Sequence, residues 1–132
     1  MDTRSLIFAA AEELKKSAVY KTDLVAIRHI LKTERSSTAV AVFHKGGGLR
    51  PHYHVEHDEI ITFLTGKATF RIGDEITTVS ANDVVVVPAG TVHATLEAEE
   101  ECIVSAVFAP SFDLENEDRI FVDGQTSNRN LS

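Results

Sequence analysis

Residues 46–66 read GGGLRPHYHVEHDEIITFLTG. It holds three of the six histidines and three acidic residues, between a glycine-rich turn and an apolar run. Residues two apart in an extended strand share a face, so His52 and His54 point to one side while Tyr53 points away. The chain then enters an apolar strand at Glu59, where a buried carboxylate is costly unless it is paired or bound to a cation. The stretch therefore predicts two imidazoles and a carboxylate that need a common partner.

A third imidazole is expected from His93, which follows the tight turn at residues 88–90 and precedes another apolar stretch. Three imidazoles and one carboxylate suit a divalent transition metal, and four protein ligands leave about two positions of an octahedron open. We predict one such metal per chain, with Fe or Mn favoured over Ni, Zn, Co or Cu. The alternative is a set of surface histidines on a polar loop, each simply solvated.

The rest of the chain favours an all-β fold. From Asp23 onward, short runs rich in Val, Ile, Thr and Phe are separated by Gly, Asn, Asp and Pro, as in a β-sandwich or barrel. Gly73-Asp74 has the residue types of a two-residue hairpin turn. Strands are predicted near residues 24–31, 37–44, 50–54, 58–65, 67–72, 75–79, 83–87, 92–97 and 101–108. Leu6, Ala10 and Leu14 recur at helical spacing and predict a helix over residues 4–17.

The length of 132 residues fits one globular domain. We divide it into an N-terminal helix or arm (residues 1–22), a barrel (23–110) and a C-terminal extension (111–132). In the extension, the acidic segment 114–118 is interpreted as a solvated loop, residues 120–122 as a short strand, and the polar tail from Gly124 as disordered.

Charge and cysteine content exclude several classes of protein. There are 13 Lys and Arg against 20 Asp and Glu, and the net charge of -7 disfavours attraction to nucleic acid or to anionic membranes. Cys102 has no other cysteine to pair with, which fits a reducing, cytoplasmic location. The apolar run at residues 6–11 is too short for a signal peptide or a membrane span.

Two short motifs resemble the paired signatures of the cupin superfamily. The first is carried by Gly46, His52, His54, Glu59 and Gly66, and the second by Pro88, Gly90 and His93. The chain departs from the family pattern at two positions. Asn82 replaces a glycine but tolerates a left-handed backbone, so the turn is expected to persist. Glu97 replaces a frequent asparagine that does not bind the metal.

The resemblance covers about residues 23–110 and implies a single cupin-type antiparallel jelly-roll β-barrel with a metal inside. By the same likeness, the metal ligands are His52, His54, Glu59 and His93. The likeness also implies a homodimer. The apolar pair Ile60-Ile61 and the valine run at residues 84–87 agree with this, since both place apolar side chains on the two faces of a sheet.

Two further residues are candidates for a catalytic role. Arg50 shares the face of His52 and His54 and is predicted to bind a substrate carboxylate bidentately. His57 lies in the turn before Glu59 and is a candidate substrate contact, proton carrier or alternative ligand, with simple solvation as the alternative.

The remaining histidines, acids and aromatics near the site receive plainer interpretations. Glu56 and Asp58 are read as rim charges, or as groups that orient a ligand imidazole. His29 and His44 are interpreted as structural histidines. Phe63 and Phe70 are predicted to lie in the core or the cavity wall.

The function expected from these features is that of a metal-dependent enzyme acting on a small polar metabolite, with a dioxygenase-type oxidoreductase placed first. The same ligands would also serve an isomerase, lyase or decarboxylase, because fold and ligands do not select the reaction. The other class considered is a non-catalytic cupin that binds a metal or a small molecule. A purely structural role is disfavoured, since it requires no full ligand set.

Overall fold

The computed structural model describes residues 20–21, 23–111 and 118–122. The helix predicted for residues 4–17 and the tail from Gly124 lie outside these residues. The described part forms β-strands that pair antiparallel in two sheets. Within it, no helix has the length and apolar character needed to cross a bilayer.

The two sheets face each other across one core. The six-stranded sheet has the order β1-β2-β3-β10-β5-β8 and the five-stranded sheet the order β11-β4-β9-β6-β7. The strands are β1 (Tyr20–Lys21), β2 (Val25–Lys32), β3 (Ser37–Phe43), β4 (His52–His54), β5 (Asp58–Phe63), β6 (Lys67–Ile72), β7 (Glu75–Ser80), β8 (Val84–Val87), β9 (His93–Ala98), β10 (Cys102–Ala109) and β11 (Arg119–Phe121).

The strand pairing is nested, which makes the fold a jelly roll. β6 pairs with β7, β5 with β8, β4 with β9, and β3 with β10. Each outer pair encloses the inner pair in sequence, as in a hairpin folded over onto itself. The predicted all-β, cupin-type antiparallel barrel is therefore confirmed.

The nine strands predicted between residues 24 and 108 correspond to β2–β10, and the short strand predicted at residues 120–122 corresponds to β11. The predicted ends differ from the observed ones by at most two residues. Alternating burial and turn residues at the strand ends explain this agreement. The turn at Gly73 is also confirmed, since it joins β6 to β7 with a positive φ of 57°. The short edge strand β1 was not predicted, because two residues carry no periodic pattern.

Two turn positions show why particular residues stand there. Gly66 has a φ of 87°, and a Cβ atom at this position would collide with the carbonyl oxygen of Glu101, so no other residue fits. Asn82 has a φ of 75°. The expectation that Asn82 preserves the left-handed turn is confirmed.

The core lies between the sheets and contains both predicted aromatics. Phe63 of β5 and Phe70 of β6 are buried, and their ring centroids are 6.1 Å apart in an edge-to-face contact. The buried apolar cluster comprises Val25, Ile27, Ala39, Ala41, Phe43, Ile61, Phe63, Ala68, Phe70, Val79, Val87, Ala98, Cys102, Val104, Phe108 and Phe121.

The outer face of the six-stranded sheet is apolar beside its β8 edge. Ile60 is 44% exposed and stands opposite Val86, which is 61% exposed. Val84, two residues along β8, is also exposed, whereas Ile61 and Val87 are buried. These two strands therefore carry apolar side chains on both faces, as the sequence predicts.

Candidate metal centre

Three histidines converge inside the barrel. His52 and His54 are buried on β4, with the half-buried Tyr53 between them. His93 begins β9 and stands directly opposite His52 in the pairing of these strands. One ligand nitrogen from each of the three imidazoles lies within 4.8 Å of the others. The predicted meeting of His93 with the His52 and His54 pair is confirmed.

Hydrogen bonds set the orientation of all three rings. Nδ1 of His52 lies 2.7 Å from the carbonyl oxygen of Arg50, and Nδ1 of His93 lies 3.0 Å from that of Thr91. A carbonyl only accepts, so Nδ1 donates in both rings, and in the neutral imidazole the lone pair is at Nε2. Nδ1 of His54 lies 3.2 Å from Asp118 Oδ1, an equivalent arrangement. Such outer partners orient histidines that bind metals.

Glu59 approaches the histidines from the other sheet. It is buried on β5, and its Oε1 atom lies 2.9 Å from Nε2 of His93 and 3.4 Å from Nε2 of His54. Burial raises the pKa of Glu59, but hydrogen bonds with His54 and His93 outweigh the burial and hold the pKa well below its usual range. The carboxylate is therefore ionised where the imidazoles meet.

The donor set fits a divalent transition metal. One nitrogen of each imidazole lies close to those of the other two, and the Glu59 carboxylate contacts Nε2 of His54 and of His93. Burial, followed by the charges of His93 and Arg119, lowers the pKa of His52 well below its usual range, which favours the neutral form that a metal requires. Burial lowers the pKa of His54, but its hydrogen bonds with Asp118 and Glu59 outweigh the burial and raise the pKa, so a metal held by this ring would displace a proton. Imidazoles beside a buried carboxylate are typical ligands for such an ion.

Asp118 contacts His54. The interpretation of segment 114–118 as a solvated loop is therefore wrong for Asp118. Its two carboxylate oxygens contact Nδ1 of His54 and, at 2.8 Å, Nδ1 of His57. The Glu56 backbone N–H donates to the same carboxylate at 2.7 Å. Partial burial raises the pKa of Asp118, but the hydrogen bonds from His54, Glu56 and His57 outweigh it and hold the pKa well below its usual range.

His57 is buried beside Asp118 and not at the meeting point of the ligands. Besides contacting Asp118, its Nε2 atom lies 3.2 Å from the carbonyl oxygen of Ser111. His57 therefore connects to the ligand His54 through one shared carboxylate. Its catalytic role stays a prediction. The neighbouring Glu56 and Asp58 side chains are exposed, and Asp58 accepts a hydrogen bond from the Ala89 backbone N–H at 2.9 Å.

Arg50 lies against the outer strand of the five-stranded sheet. Its guanidinium carbon is 4.0 Å from the ring centroid of Phe121, a cation–π contact. It lines a hollow together with Pro51, Phe121 and Val122, whereas His52 lines the interior cavity. The predicted binding of a substrate carboxylate by Arg50 stays a prediction.

A cavity of about 60 Å³ adjoins the ligands between the two sheets. Most of the residues that line it are apolar, and six of them carry a polar group. The lining residues are Ile27, His29, Ala39, Val40, Ala41, Phe43, Leu49, His52, Glu59, Ile61, Phe70, His93, Thr95, Val104, Ala106, Phe108 and Arg119.

Three of these polar residues, His29, Thr95 and Arg119, were not predicted to be at the site. His29, on β2, stacks on Phe108 at 6.1 Å, and burial followed by the positive charge of Arg119 lowers its pKa to about 4. Arg119 is only 5% exposed and stands directly opposite His54 in the pairing of β11 with β4. Arg119 and Phe121 flank Ile120, so in a strand they share a face. This alternation is the one local signal that could have predicted a buried Arg119.

The other histidine interpreted as structural, His44, is exposed and lies away from the cavity lining. Its Nδ1 atom is 2.8 Å from Glu101 Oε2, so it forms a surface ion pair when protonated.

Comparison with known proteins agrees with this architecture. A curated relative, an uncharacterized protein of Aquifex aeolicus (strain VF5), is 36% identical over 63 residues, which are 48% of this chain and 52% of the relative. The match thus spans about half the length of that relative.

Solved structures with similar folds come from several bacteria. An uncharacterized conserved protein with a double-stranded β-helix domain from Klebsiella pneumoniae has a TM-score of 0.74 and 24% identity, covering 92% of this chain and 94% of its own. KdgF from Halomonas sp. has a TM-score of 0.67 and 23% identity, covering 72% and 86%. A predicted oxalate decarboxylase from Thermotoga maritima has a TM-score of 0.60 and 21% identity, covering 65% and 80%. At these identities the likeness shows the fold alone.

The family model for the cupin domain matches residues 39–109, more than half of the chain. The matched region contains most of β3, all of β4–β10 and all four predicted ligands. The nested jelly roll, the converging histidines and this match together show that the chain belongs to the cupin family.

Proposed function

We propose that this chain is a metal-dependent enzyme that acts on a small polar metabolite. The observation that carries the proposal is the convergence of three buried, oriented imidazoles and the Glu59 carboxylate beside an interior cavity. A divalent transition metal held by His52, His54, Glu59 and His93 would supply Lewis-acid or redox chemistry. The chain itself orients the ligands through Nδ1 and surrounds the reacting groups with an apolar wall that excludes water.

Dioxygenase-type oxidation is the reaction we place first. A metal held by these four side chains would have coordination positions left for a substrate and dioxygen. Iron or manganese is the metal expected for this chemistry. His57, next to Asp118, is the proposed proton carrier, and Arg50 remains a candidate for contact with the substrate at the outer hollow.

The second candidate is a decarboxylase-like, lyase or isomerase reaction at the same ligands. The small cavity supports it, because about 60 Å³ suits a compact carboxylic acid better than a large substrate. Binding of the metabolite without turnover would contradict both enzymatic functions and indicate a non-catalytic cupin.

The first experiment is elemental mass spectrometry of untagged protein purified without added metal. We expect about one iron or manganese ion per chain in the wild type and loss of this metal in Glu59→Ala and His93→Ala. His44→Ala is the matched control, since it removes an exposed imidazole paired with Glu101. Metal content that these two substitutions leave unchanged would refute the ligand assignment.

The second experiment distinguishes the reactions. The wild type and His52→Ala, both prepared with added metal, are incubated with small organic acids. The concentrations of dioxygen, carbon dioxide and the acid are measured over time. Oxygen uptake matched to loss of the acid, and absent in His52→Ala, would support a dioxygenase. Loss of the acid without oxygen uptake would support the second candidate, and binding without any loss would support a non-catalytic role.

We also propose that the chain forms a homodimer through the outer face that carries Ile60, Val84 and Val86. These three exposed apolar side chains occupy two neighbouring strands, which favours a protein contact. Light scattering after gel filtration should give a dimer for the wild type and a monomer for Val86→Lys. A monomeric wild type would contradict the proposal.

A cytoplasmic location is proposed as well. Cys102 is a buried free thiol, as expected in a reducing compartment. Fractionation of the cells that produce the protein, with antibody detection, tests this location.

A further inference from the structure

Three alanines line the cavity beside the ligands from two neighbouring strands. Ala39 and Ala41 belong to β3, and Ala106 belongs to β10. Ala39 stands directly opposite Ala106 in the pairing of these strands. Because residues opposite one another share a face of the sheet, the methyl groups of this alanine pair lie side by side inside the barrel. Valine or phenylalanine, which occupy other buried positions of both strands, would take up part of the cavity at these two positions.

The alanine pair, Ala39 and Ala106, lies one step along the barrel from the ligand Glu59. Glu59 and Ile61 are two residues apart on β5 and both are buried, so they share the face that points into the barrel. Ile61 stands opposite Ala106 in the pairing of β5 with β10. Two residues of a strand span about 7 Å, which is the length of a short carbon chain. A molecule with one end at the metal ligands is therefore able to place a short chain beside the alanine pair.

A second pair of opposed alanines has different surroundings. Ala68 of β6 stands opposite Ala98 of β9, and both belong to the buried core cluster. They are 0% and 1% exposed and lie outside the lining of the cavity. An added methyl group at either position would meet neighbouring atoms, because a protein core is closely packed. The two pairs share residue type and pairing, and they differ in that Ala39 and Ala106 adjoin the cavity.

The size and the lining of the cavity limit what fits beside the alanine pair. The volume of about 60 Å³ has room for about four to six water-sized groups. Most of the lining residues are apolar, and apolar walls favour an aliphatic group. The ligands His52, Glu59 and His93 line the same cavity, so a polar group of the same molecule would meet the metal.

We propose that the alanine pair receives the short aliphatic part of a ligand whose polar head group binds the metal. The aliphatic part has about two to four carbon atoms, because the cavity must also hold the head group. Ala39 and Ala106 then determine the size of the ligand, and larger side chains at these positions exclude it. The proposal deepens the proposed function and rests on it for the metal, whereas the room beside the alanine pair does not depend on the metal.

The first test is thermal unfolding of the metal-free, full-length protein and its variants. Ala39→Val and Ala106→Val each add two carbon atoms beside the cavity, and we expect Tm to be unchanged or higher. Ala68→Val and Ala98→Val are the matched controls, in which overpacking should lower Tm by roughly 5–10 °C. Equal losses of Tm in the two pairs would overturn the proposal, because Ala39 and Ala106 would then be packed as closely as Ala68 and Ala98.

The second test is isothermal titration of Mn²⁺-loaded protein with straight-chain alkyl hydroxamates. The head group that chelates the metal is the same in every probe, so only the length of the alkyl chain varies. We expect the wild type to bind butyrohydroxamate roughly tenfold more tightly than acetohydroxamate, since two more methylene groups are buried, and to bind octanohydroxamate more weakly than butyrohydroxamate.

The variant Ala106→Val should lose the preference for butyrohydroxamate and bind acetohydroxamate as the wild type does. A wild type that binds octanohydroxamate most tightly would overturn the proposal. So would a preference for butyrohydroxamate that Ala106→Val leaves unchanged. If Ala106→Val does not fold, Ala39→Val takes its place, and the comparison of the three probes in the wild type needs no variant.

Metal content, measured before and after each titration, separates the role of the alanine pair from the metal centre. Xenon NMR of metal-free protein tests the cavity without a metal, because xenon binds in small apolar cavities. A wild type that holds no metal but binds xenon, with this binding lost in Ala106→Val, refutes the metal centre and supports the role of the alanine pair. A wild type that holds metal but binds acetohydroxamate more tightly than butyrohydroxamate refutes the role of the alanine pair alone.

Discussion

The region matched by the cupin model, residues 39–109, and the strands that flank it make different contributions to the site. The matched region supplies the converging histidines and Glu59, from β4, β5 and β9. The flanking strands supply His29 from β2 and Arg119 from β11, with Asp118 just before β11. The converging histidines and Glu59 therefore belong to the common barrel, whereas His29, Asp118 and Arg119 come from segments outside it.

The two regions also differ in how firmly the sheet holds them. β4, β5 and β9 each pair on both sides, so their register is fixed by two neighbours. β11 is an edge strand that pairs only with β4 in the described part of the chain. Side-chain contacts such as that of Asp118 with His54 therefore contribute more to its position.

The largest expected effect comes from removing a ligand in the matched region. His93→Ala should lower metal affinity by more than about a hundredfold, because even the loss of a group that only orients a ligand costs tenfold to hundredfold. Arg119→Met, in a flanking strand, should retain the metal. Competition with a chromophoric chelator measures both metal affinities. An equal loss of metal affinity in the two variants would contradict the difference proposed between the regions.

The next effect tests whether a flanking residue acts on the metal indirectly. Asp118→Asn should lower metal affinity roughly ten- to hundredfold, because the carboxylate that orients His54 becomes a neutral amide. Glu56→Gln is the matched control, since the Glu56 side chain is exposed and only its backbone N–H donates to Asp118. The same chelator titration would contradict this role if Asp118→Asn bound metal as the wild type does.

A smaller effect concerns the pH dependence of stability and His29. Its pKa is about 4 in the folded chain against 6.5 for the ordinary group. As the pH falls below 6.5, the unfolded chain gains a proton that the folded chain does not, so the free energy of unfolding falls until the pH reaches about 4. His29 should account for roughly 1–3 kcal/mol of that loss.

Urea unfolding of metal-free protein across this pH window measures the contribution of His29. His29→Gln should lose less stability on acidification than the wild type does, and His44→Gln is the control for removal of a histidine elsewhere. If the wild type and His29→Gln lost stability in parallel, the burial of a neutral imidazole at the cavity would be refuted.

The smallest effect tests the attachment of β11. Arg50→Met removes the cation–π contact with Phe121 and should lower the free energy of unfolding by about 0.5–1 kcal/mol. Arg71→Met is the control at a hairpin on another strand. Thermal unfolding followed by circular dichroism measures the difference. An effect of several kcal/mol would show that the flanking strand depends on this contact far more than expected.

The strands of the barrel could be predicted from sequence because their pattern is local. Alternating apolar residues and turn-forming residues such as Gly73 and Asn82 act over a few positions, and the strands and turns follow them. His52, His54 and His93 were also predicted to meet, and they do. That prediction relied on strand alternation and on resemblance to a family.

The roles of the flanking residues could not be predicted in the same way. Asp118 lies in an acidic segment whose composition indicates solvent exposure, yet it contacts His54 and His57. No motif near His29 indicates whether this histidine lines a cavity or has only a structural role. Arg50 shares strand spacing with His52, but its guanidinium packs on Phe121, and this depends on β11 lying beside β4.

Period-two burial and the signature spacing are properties of neighbouring residues, so the sequence was sufficient to predict the antiparallel barrel and the meeting of His52, His54 and His93. The tertiary structure alone decided which distant charges join the site. β11 pairs with β4 across more than sixty residues of chain, for example at Arg119 with His54. Such a pairing depends on the free energy of the whole packed sheet, so no local pattern encodes it.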